Sequence, residues 1–358
     1  MKLSKLYRRG NSMKIEPYEV KLEMEKPYEE KLKETYSIIR EHLKAFKRPQ
    51  VATSWGKDSV VMSAIVMDIC LNEFKMNPRT RDFPVFTLAH TNNIFPEEPA
   101  YWERIRLQLG IPSTKFLVVK PKYEDGRDKT VWSIAKEVGH LPSFRNVDNK
   151  DIPYKFRNEP ECCYQLKRQS VNKYLKKQKK YQRHELVLVG IRAEESRARK
   201  FSVMMHCRTF STRHKRPYVS RTLTPLAFWT AKDIDRFFEE RGLEKCPVYK
   251  IHNQTRMGCA SCPAHVNWEK RLAEDPTETG IGMLKMNLQI LRVTQPNRFW
   301  NSISRLYKDH QDICDEILNS KELEQWRNDS VEYDEKLMKK AEKLKKKIEG
   351  GVSEKTIK

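Results

Sequence analysis

A chain of 358 residues has room for one large domain with extensions or for two domains, and its 38% hydrophobic content is low but sufficient for a core, which excludes wholesale disorder. Seventy Lys and Arg against 48 Asp and Glu leave a net charge of +22, a balance that favours polyanionic partners, nucleic acid first and anionic small molecules second. No apolar run reaches the ~18 residues of a membrane helix, and Met1-Lys2-Leu3-Ser4-Lys5 lacks a signal-peptide core, so a soluble cytoplasmic protein with no membrane partner is expected.

Residues 1–30 form a charged, poorly periodic extension. From residue 31, Leu32, Tyr36, Ile39, Leu43 and Phe46 recur at helical spacing until Pro49 stops the run. The first strand, Val51-Ala52-Thr53, enters Ser54-Trp55-Gly56-Lys57-Asp58-Ser59, and Val60 to Met67 has the length of a helix. A second strand, Val85 to Ala89, ends at His90-Thr91-Asn92-Asn93; a helix through Tyr101, Ile105 and Leu109 follows, then a third strand, Lys115 to Val119. Residues 121–180 insert before a fourth strand, Glu185 to Gly190. Arg192 to Arg221 is basic and reads as mostly aperiodic; Thr230 and Asp233 then cap a helix that Gly242 ends, and residues 267–349 read as helical. Strands alternating with helices predict an α/β fold, a parallel twisted sheet with helices on both faces, plus a helical C-terminal region. Ligands of such sheets sit at the carboxyl ends of the strands.

The loop at residues 54–59 has the chemistry of a phosphate site. A strand turning into a helix aims unpaired N–H groups at one point, where the positive end of the helix dipole also lies. Gly56 permits close approach, Ser54 and Ser59 add hydroxyls and Lys57 adds a point charge. Asp58 fits such a site as a cap or as a holder of Mg²⁺. An ordinary strand–helix turn is the other reading. Eight cysteines in a reducing compartment argue for metal rather than disulfides, with Cys162-Cys163 adjacent and Cys259-Ala260-Ser261-Cys262 spaced as C-x-x-C; Cys70, Cys207, Cys246 and Cys314 read as apolar filler.

The loop resembles the Ser-x-Gly-Lys-Asp-Ser pyrophosphate loop of the adenine nucleotide α-hydrolase group, whose members split ATP between the α- and β-phosphates. His90-Thr91-Asn92-Asn93-Ile94-Phe95-Pro96-Glu97 is similar to the D-T-G-x-x-F-P-E-T element of phosphoadenosine phosphosulfate (PAPS) reductases and their relatives, with His90 and Asn92 in place of Asp and Gly. Gly190-Ile191-Arg192 through Glu195-Ser196 to Arg199 resembles that family's G-x-R-x-x-E/Q-S-x-x-R; Pro225-Leu226, Trp229-Thr230, Asp233-Ile234 and Pro247-Val248-Tyr249 resemble its downstream segments. On these motifs residues 31–265 are identified as a PAPS-reductase-like nucleotide-binding domain with an insertion, followed by a basic helical region at 266–358.

The resemblance implies that Ser54, Gly56, Lys57, Asp58, Ser59, Thr91, Arg192 and Arg199 bind ATP with Mg²⁺, and that Lys57, Asp58 and Arg192 act in catalysis. Cys162-Cys163 and Cys259-x-x-Cys262 look like the cysteine pairs that hold a [4Fe–4S] cluster in bacterial adenosine phosphosulfate (APS) reductases, with Lys167 as the shared cationic neighbour. Zinc is the alternative metal. Reductases of this family usually lack the Lys-Asp-Ser of the loop and carry a Glu-Cys-Gly-x-His tail; here Lys57-Asp58-Ser59 is kept, and the only cysteine beyond Cys262 is Cys314, without the Gly and His. The expectation is therefore an ATP pyrophosphatase that adenylates a substrate for sulfur transfer, as in DNA phosphorothioation or tRNA thiolation, with a sulfur donor such as a cysteine desulfurase. Arg197, Arg199, Lys200, Arg208, Arg213, Lys215, Arg216 and Arg221 point to a DNA or RNA acceptor. The alternatives are an APS/PAPS reductase, a nucleic-acid-binding module with a structural cluster, and adenylylation without sulfur.

Overall fold

The computed structural model describes residues 14–141, 160–177, 186–213, 219–263 and 267–319. In chain order these form α1 (Pro17–Glu25), α2 (Tyr28–Ala45), β1 (Pro49–Thr53), α3 (Lys57–Asp68), β2 (Val85–Ala89), α4 (Glu98–Gln108), β3 (Phe116–Val119), α5 (Val131–Val138), α6 (Glu161–Cys163), α7 (Ser170–Lys177), β4 (Leu186–Val189), α8 (Arg197–His206), β5 (Thr209–Arg213), β6 (Val219–Leu223), α9 (Ala231–Arg241), α10 (Val248–Ile251), α11 (Trp268–Ala273), α12 (Glu278–Thr294), α13 (Pro296–Leu306) and α14 (Gln311–Asn319). Contacts divide the chain into two compact units. Unit 1 comprises Met1–Ala89, Pro96–Val119 and Val171–Pro247; unit 2 comprises His90–Phe95, Lys120–Ser170 and Val248–Lys358.

Unit 1 is built on a six-stranded sheet in the order β3-β2-β1-β4-β6-β5. β3, β2, β1, β4 and β6 run parallel, and β5 adds an antiparallel edge to β6. The α/β architecture with a parallel sheet is thus as the alternating strand and helix signals predict. The order of strands reverses direction at β1: β2 and β3 lie to one side, β4 and β6 to the other. Right-handed crossovers in opposite directions place their helices on opposite faces, and the carboxyl ends of β1 and β4 flank the switch point where α/β sheets bind ligands. α3 explains itself as a sandwiched helix, because Val60, Val61, Met62, Ile65 and Val66 are all fully buried with no polar stripe between them. α2 docks on α9 through Lys31, whose Nζ lies 2.5 Å from Asp233 Oδ2 with both groups buried, and Trp229 Nε1 donates to Thr35 Oγ1 at 2.9 Å.

The segment from Arg192 to Arg221 corrects the sequence reading. It is not mostly aperiodic: it carries α8 and the strands β5 and β6. Phe210 and Thr212, and likewise Val219, Arg221 and Leu223, have the two-residue spacing of strands, which the surrounding arginines obscured.

In unit 2 the helices of the C-terminal region share one core with the segment that carries Cys162. Val131 and Ile134 of α5, and Cys162 and Leu166, are buried in one cluster with Trp268 and Leu272 of α11, Leu284 and Leu288 of α12, Phe299 of α13 and Cys314 of α14. The chain after α6 runs on as a π-turn, Tyr164–Gln169, before α7.

Candidate functional site

In unit 1 the loop between β1 and α3 turns at Trp55, which has a φ of 55°. Left-handed backbone costs a side-chain-bearing residue roughly 1–2 kcal/mol, and packing holds it here. The indole is fully buried and edge-on to Phe116 at 5.5 Å between ring centroids, while its backbone N–H donates to Thr53 Oγ1 at 3.0 Å. Gly56 is the N-cap of α3 and no side chain caps the helix there, so its start attracts an anion. Ser54 is exposed at this point. Ser59 is not: its buried hydroxyl donates to Gly56 O at 2.9 Å and accepts from Ser54 N–H at 3.3 Å, so Ser59 shapes the loop from beneath.

β4 delivers Arg192 to the same place. Its Nε donates to Asp58 Oδ1 at 2.6 Å, its Nη1 to Glu194 Oε2 at 2.7 Å, and its backbone N–H to Glu195 Oε2 at 3.1 Å. Arg199 pairs with Glu195 on the first turn of α8, where Ser196 is the N-cap. Gly190 permits this approach. A methyl group there would meet Asp58 C at 3.1 Å, Asp58 O at 3.2 Å and Ser59 N at 3.2 Å, all of it backbone that cannot step aside. Burial pushes the Asp58 carboxyl up to about 6, against the opposing pull of Arg192. Lys57 Nζ lies 3.3 Å from Asp235 Oδ1, which also takes Lys245 Nζ at 2.9 Å. Asp235 is partly buried, but its hydrogen bond to Lys245 and the charge of Lys57 hold its carboxyl below the usual range. Ser54, Gly56, Lys57, Asp58, Ser59, Arg192 and Arg199 are thus brought together. Trp55, Gly190 and Asp235 are additions that the sequence reading did not assign to the site.

Thr91 belongs to unit 2, where it is buried, its Oγ1 donates to Asn93 O at 3.4 Å, and its hydroxyl counters the rise of the Cys259 thiol. Asn92 beside it has a φ of 56°, and its Nδ2 donates to Pro121 O at 3.0 Å and Lys129 O at 2.9 Å. Asn tolerates the left-handed region better than most residues with a side chain, which accounts physically for Asn at this Gly position.

All eight cysteines are free thiols. Four of them interact in unit 2. The hydrogen bond with Cys163, burial, and the charges of Cys259 and Cys262 raise Cys162, and burial raises Cys259 to about 11 while Lys167 pulls it back. The charge of Cys259 in turn raises the Lys167 ammonium. Soft sulfur donors beside the cations Lys167 and Arg271 have the chemistry of a site for a metal–sulfur group, whose bound thiolates those charges would offset. Among the described residues, no three His, Cys, Asp or Glu side chains are placed to hold a metal ion. Of the remaining thiols Cys70 and Cys314 are fully buried, with burial raising them to about 12 and about 11, and Cys246 is also buried.

A family profile for the phosphoadenosine phosphosulfate reductase domain matches residues 48–265. The chain belongs to this family. The PAPS reductase span contains the loop, Thr91, Arg192, Arg199 and both cysteine pairs, whereas α11 to α14 lie beyond it. No curated protein matches the chain. Among solved structures, PAPS reductase from Candida auris in its phosphate complex is similar at 13% identity, over 70% of this chain and 98% of that one, with a TM-score of 0.41. No described helix is long and apolar enough to cross a membrane.

Proposed function

We propose that this PAPS reductase-family protein is an ATP pyrophosphatase that adenylates a nucleic-acid substrate for sulfur transfer. The observation that carries the reading is the charge arrangement at the carboxyl ends of β1 and β4. There Lys57, Arg192 and Arg199 face the carboxylates Asp58, Glu194, Glu195 and Asp235. So many carboxylates disfavour a bare polyphosphate and favour one that arrives with a divalent cation, which Asp58 would hold. Ser54, the start of α3 at Gly56 and Lys57 would bind the pyrophosphate moiety. A substrate oxygen would form the new bond to the α-phosphorus as the bond to pyrophosphate breaks, its proton passing to solvent. Arg192 would offset the charge that develops there, and Arg199 would support it. A [4Fe–4S] group on Cys162, Cys163, Cys259 and Cys262, or zinc in its stead, would supply the thiophilic chemistry of the second stage, with sulfur from an external donor such as a cysteine desulfurase. Thr91 would serve that group rather than the nucleotide.

The burial of Cys314 favours this reading over an APS/PAPS reductase, because a thiol fully enclosed in the α11–α14 core cannot attack a sulfonucleotide. A nucleic-acid acceptor is supported by α8, which exposes Arg197, Lys200 and Phe201 at the i, i+3 and i+4 positions of one helix face. The test is pyrophosphate release from Mg·ATP by anaerobically reconstituted protein, with and without DNA or tRNA, beside an APS-to-sulfite assay. Release that rises with nucleic acid and vanishes in Lys57→Ala is expected. Sulfite from APS with no pyrophosphate from ATP would overturn the proposal in favour of the reductase.

A further inference from the structure

The Cys259–Cys262 turn is short, with Cys262 N–H donating to Cys259 O at 3.2 Å, and the backbone between the two sulfurs is held from three sides. Ala260 N–H donates to Asn93 O at 2.8 Å. Ala260 O accepts from Arg271 Nη2 at 2.9 Å, and the other arm of the same guanidinium is bound by Gln254. Ser261 O accepts from Asn287 Nδ2 at 2.9 Å. Asn287 is fully buried, and its Oδ1 is itself fixed by Trp132 Nε1 at 3.0 Å, so the amide has one orientation that satisfies both partners. Ala260 and Ser261 are buried as well, at 1% and 0% exposure, so a carbonyl that lost its donor would face no solvent.

Two of these three holds come from α11 and α12, outside the span that matches the family. We infer that Arg271 and Asn287 are positioning residues which fix the Cys259–Cys262 turn, and that the C-terminal helices serve in this chain as a built-in support for its cysteine centre. The inference rests on the reading of the cysteine pairs as a metal centre, but the support is a property of the metal-free protein as well. An ordinary core role would have put apolar residues at these positions. A buried Asn whose two ends are both engaged holds one backbone geometry and would not tolerate another.

The experiment is peptide-resolved alkylation of the full-length, metal-free protein under native conditions. Asn287→Leu keeps the branched shape and removes the donor to Ser261 O, together with the acceptor for Trp132. Losing a hydrogen bond to a buried carbonyl is expected to speed labelling of Cys259 and Cys262 about tenfold, while Cys314, in the same core, and Cys70 label at the wild-type rate. Equal acceleration at Cys314 would overturn the inference, because Asn287 would then be holding the core at large. So would unchanged labelling of Cys259 and Cys262. Should Asn287→Leu fail to fold, Arg271→Lys gives the same reading, since a lysine cannot fork across Ala260 O and Gln254. A second arm measures bound iron after anaerobic reconstitution. Iron in the wild type that falls severalfold in either variant is expected. Iron equal in all three would overturn the inference, whereas a wild type that binds no iron would count against the cluster itself and leave the labelling result to judge the support.

Discussion

Asp58 offers the sharpest physical test of the nucleotide site. Its carboxyl stands at about 6 in the folded chain against 3.8 for an ordinary aspartate, because burial outweighs the Arg192 guanidinium 2.6 Å away. The folded form therefore binds its proton more tightly than the unfolded form, and the unfolded chain loses that proton first as pH rises. Stability associated with Asp58 is full below about pH 4, falls between about 4 and 6, and stays low above. At about 1.4 kcal/mol per pKa unit the whole change is of order 3 kcal/mol. The side chain is 18% exposed, so screening trims this only slightly. Asp58→Asn keeps an acceptor for Arg192 Nε but does not titrate. Urea denaturation of both proteins from pH 4 to pH 7 should show the variant gaining about 2–3 kcal/mol on the wild type across that window. Mg·ATP, by drawing Asp58 into its charged form, should bind more tightly as pH rises from 5 to 7 and release a proton, seen by calorimetry in buffers of different ionisation enthalpy. A stability difference that is flat, or that moves in favour of the wild type with rising pH, would refute the reasoning and show that Arg192 governs the carboxyl.

Two further outcomes follow from the same geometry. Gly190→Ala would place its methyl 3.1–3.2 Å from the backbone of Asp58 and Ser59; thermal unfolding should register a loss of about 1–3 kcal/mol, and nucleotide titration should show the loop's affinity falling as well. At Asn92, Gly keeps the left-handed backbone and loses only the bonds to Pro121 O and Lys129 O, whereas Ala loses both and adds strain; chemical denaturation should rank Asn92→Ala below Asn92→Gly by about 1 kcal/mol.

The loop was legible because its chemistry is local: strand, turn, Gly56, Lys57 and helix start follow one another in the chain. Arg192 was legible because it stands two residues beyond Gly190, at the end of an apolar strand. Asp235 was not, since it reaches Lys57 across 178 residues and no spacing rule joins them. Trp55 was hidden for a different reason. A large aromatic at a left-handed position contradicts local preference, and only the buried contact with Phe116 makes it affordable. Asn287 lay in a stretch read only as helical; what distinguishes it, burial with both ends of the amide engaged, exists only in three dimensions.

Charge shows most clearly where composition and structure part. Arg208 counted toward a basic surface, yet it is 3% exposed, 2.9 Å from Glu34, with its guanidinium over the Phe228 ring. Arg221 lies over the Phe46 ring at 5.5 Å. The side chain of Arg213 and all of Lys215 and Arg216 lie outside the described residues. Arg199 is engaged with Glu195. What remains of the basic stretch as an accessible face is Arg197 and Lys200 beside the exposed ring of Phe201. Among the described residues of this stretch, two cations make a small electrostatic footprint by the standard of a protein that grips duplex backbone, whereas an exposed aromatic flanked by two cations suits single strands, held by stacking with modest charge. If the acceptor is the nucleic acid proposed above, the described face of α8 suits an unpaired base better than a duplex.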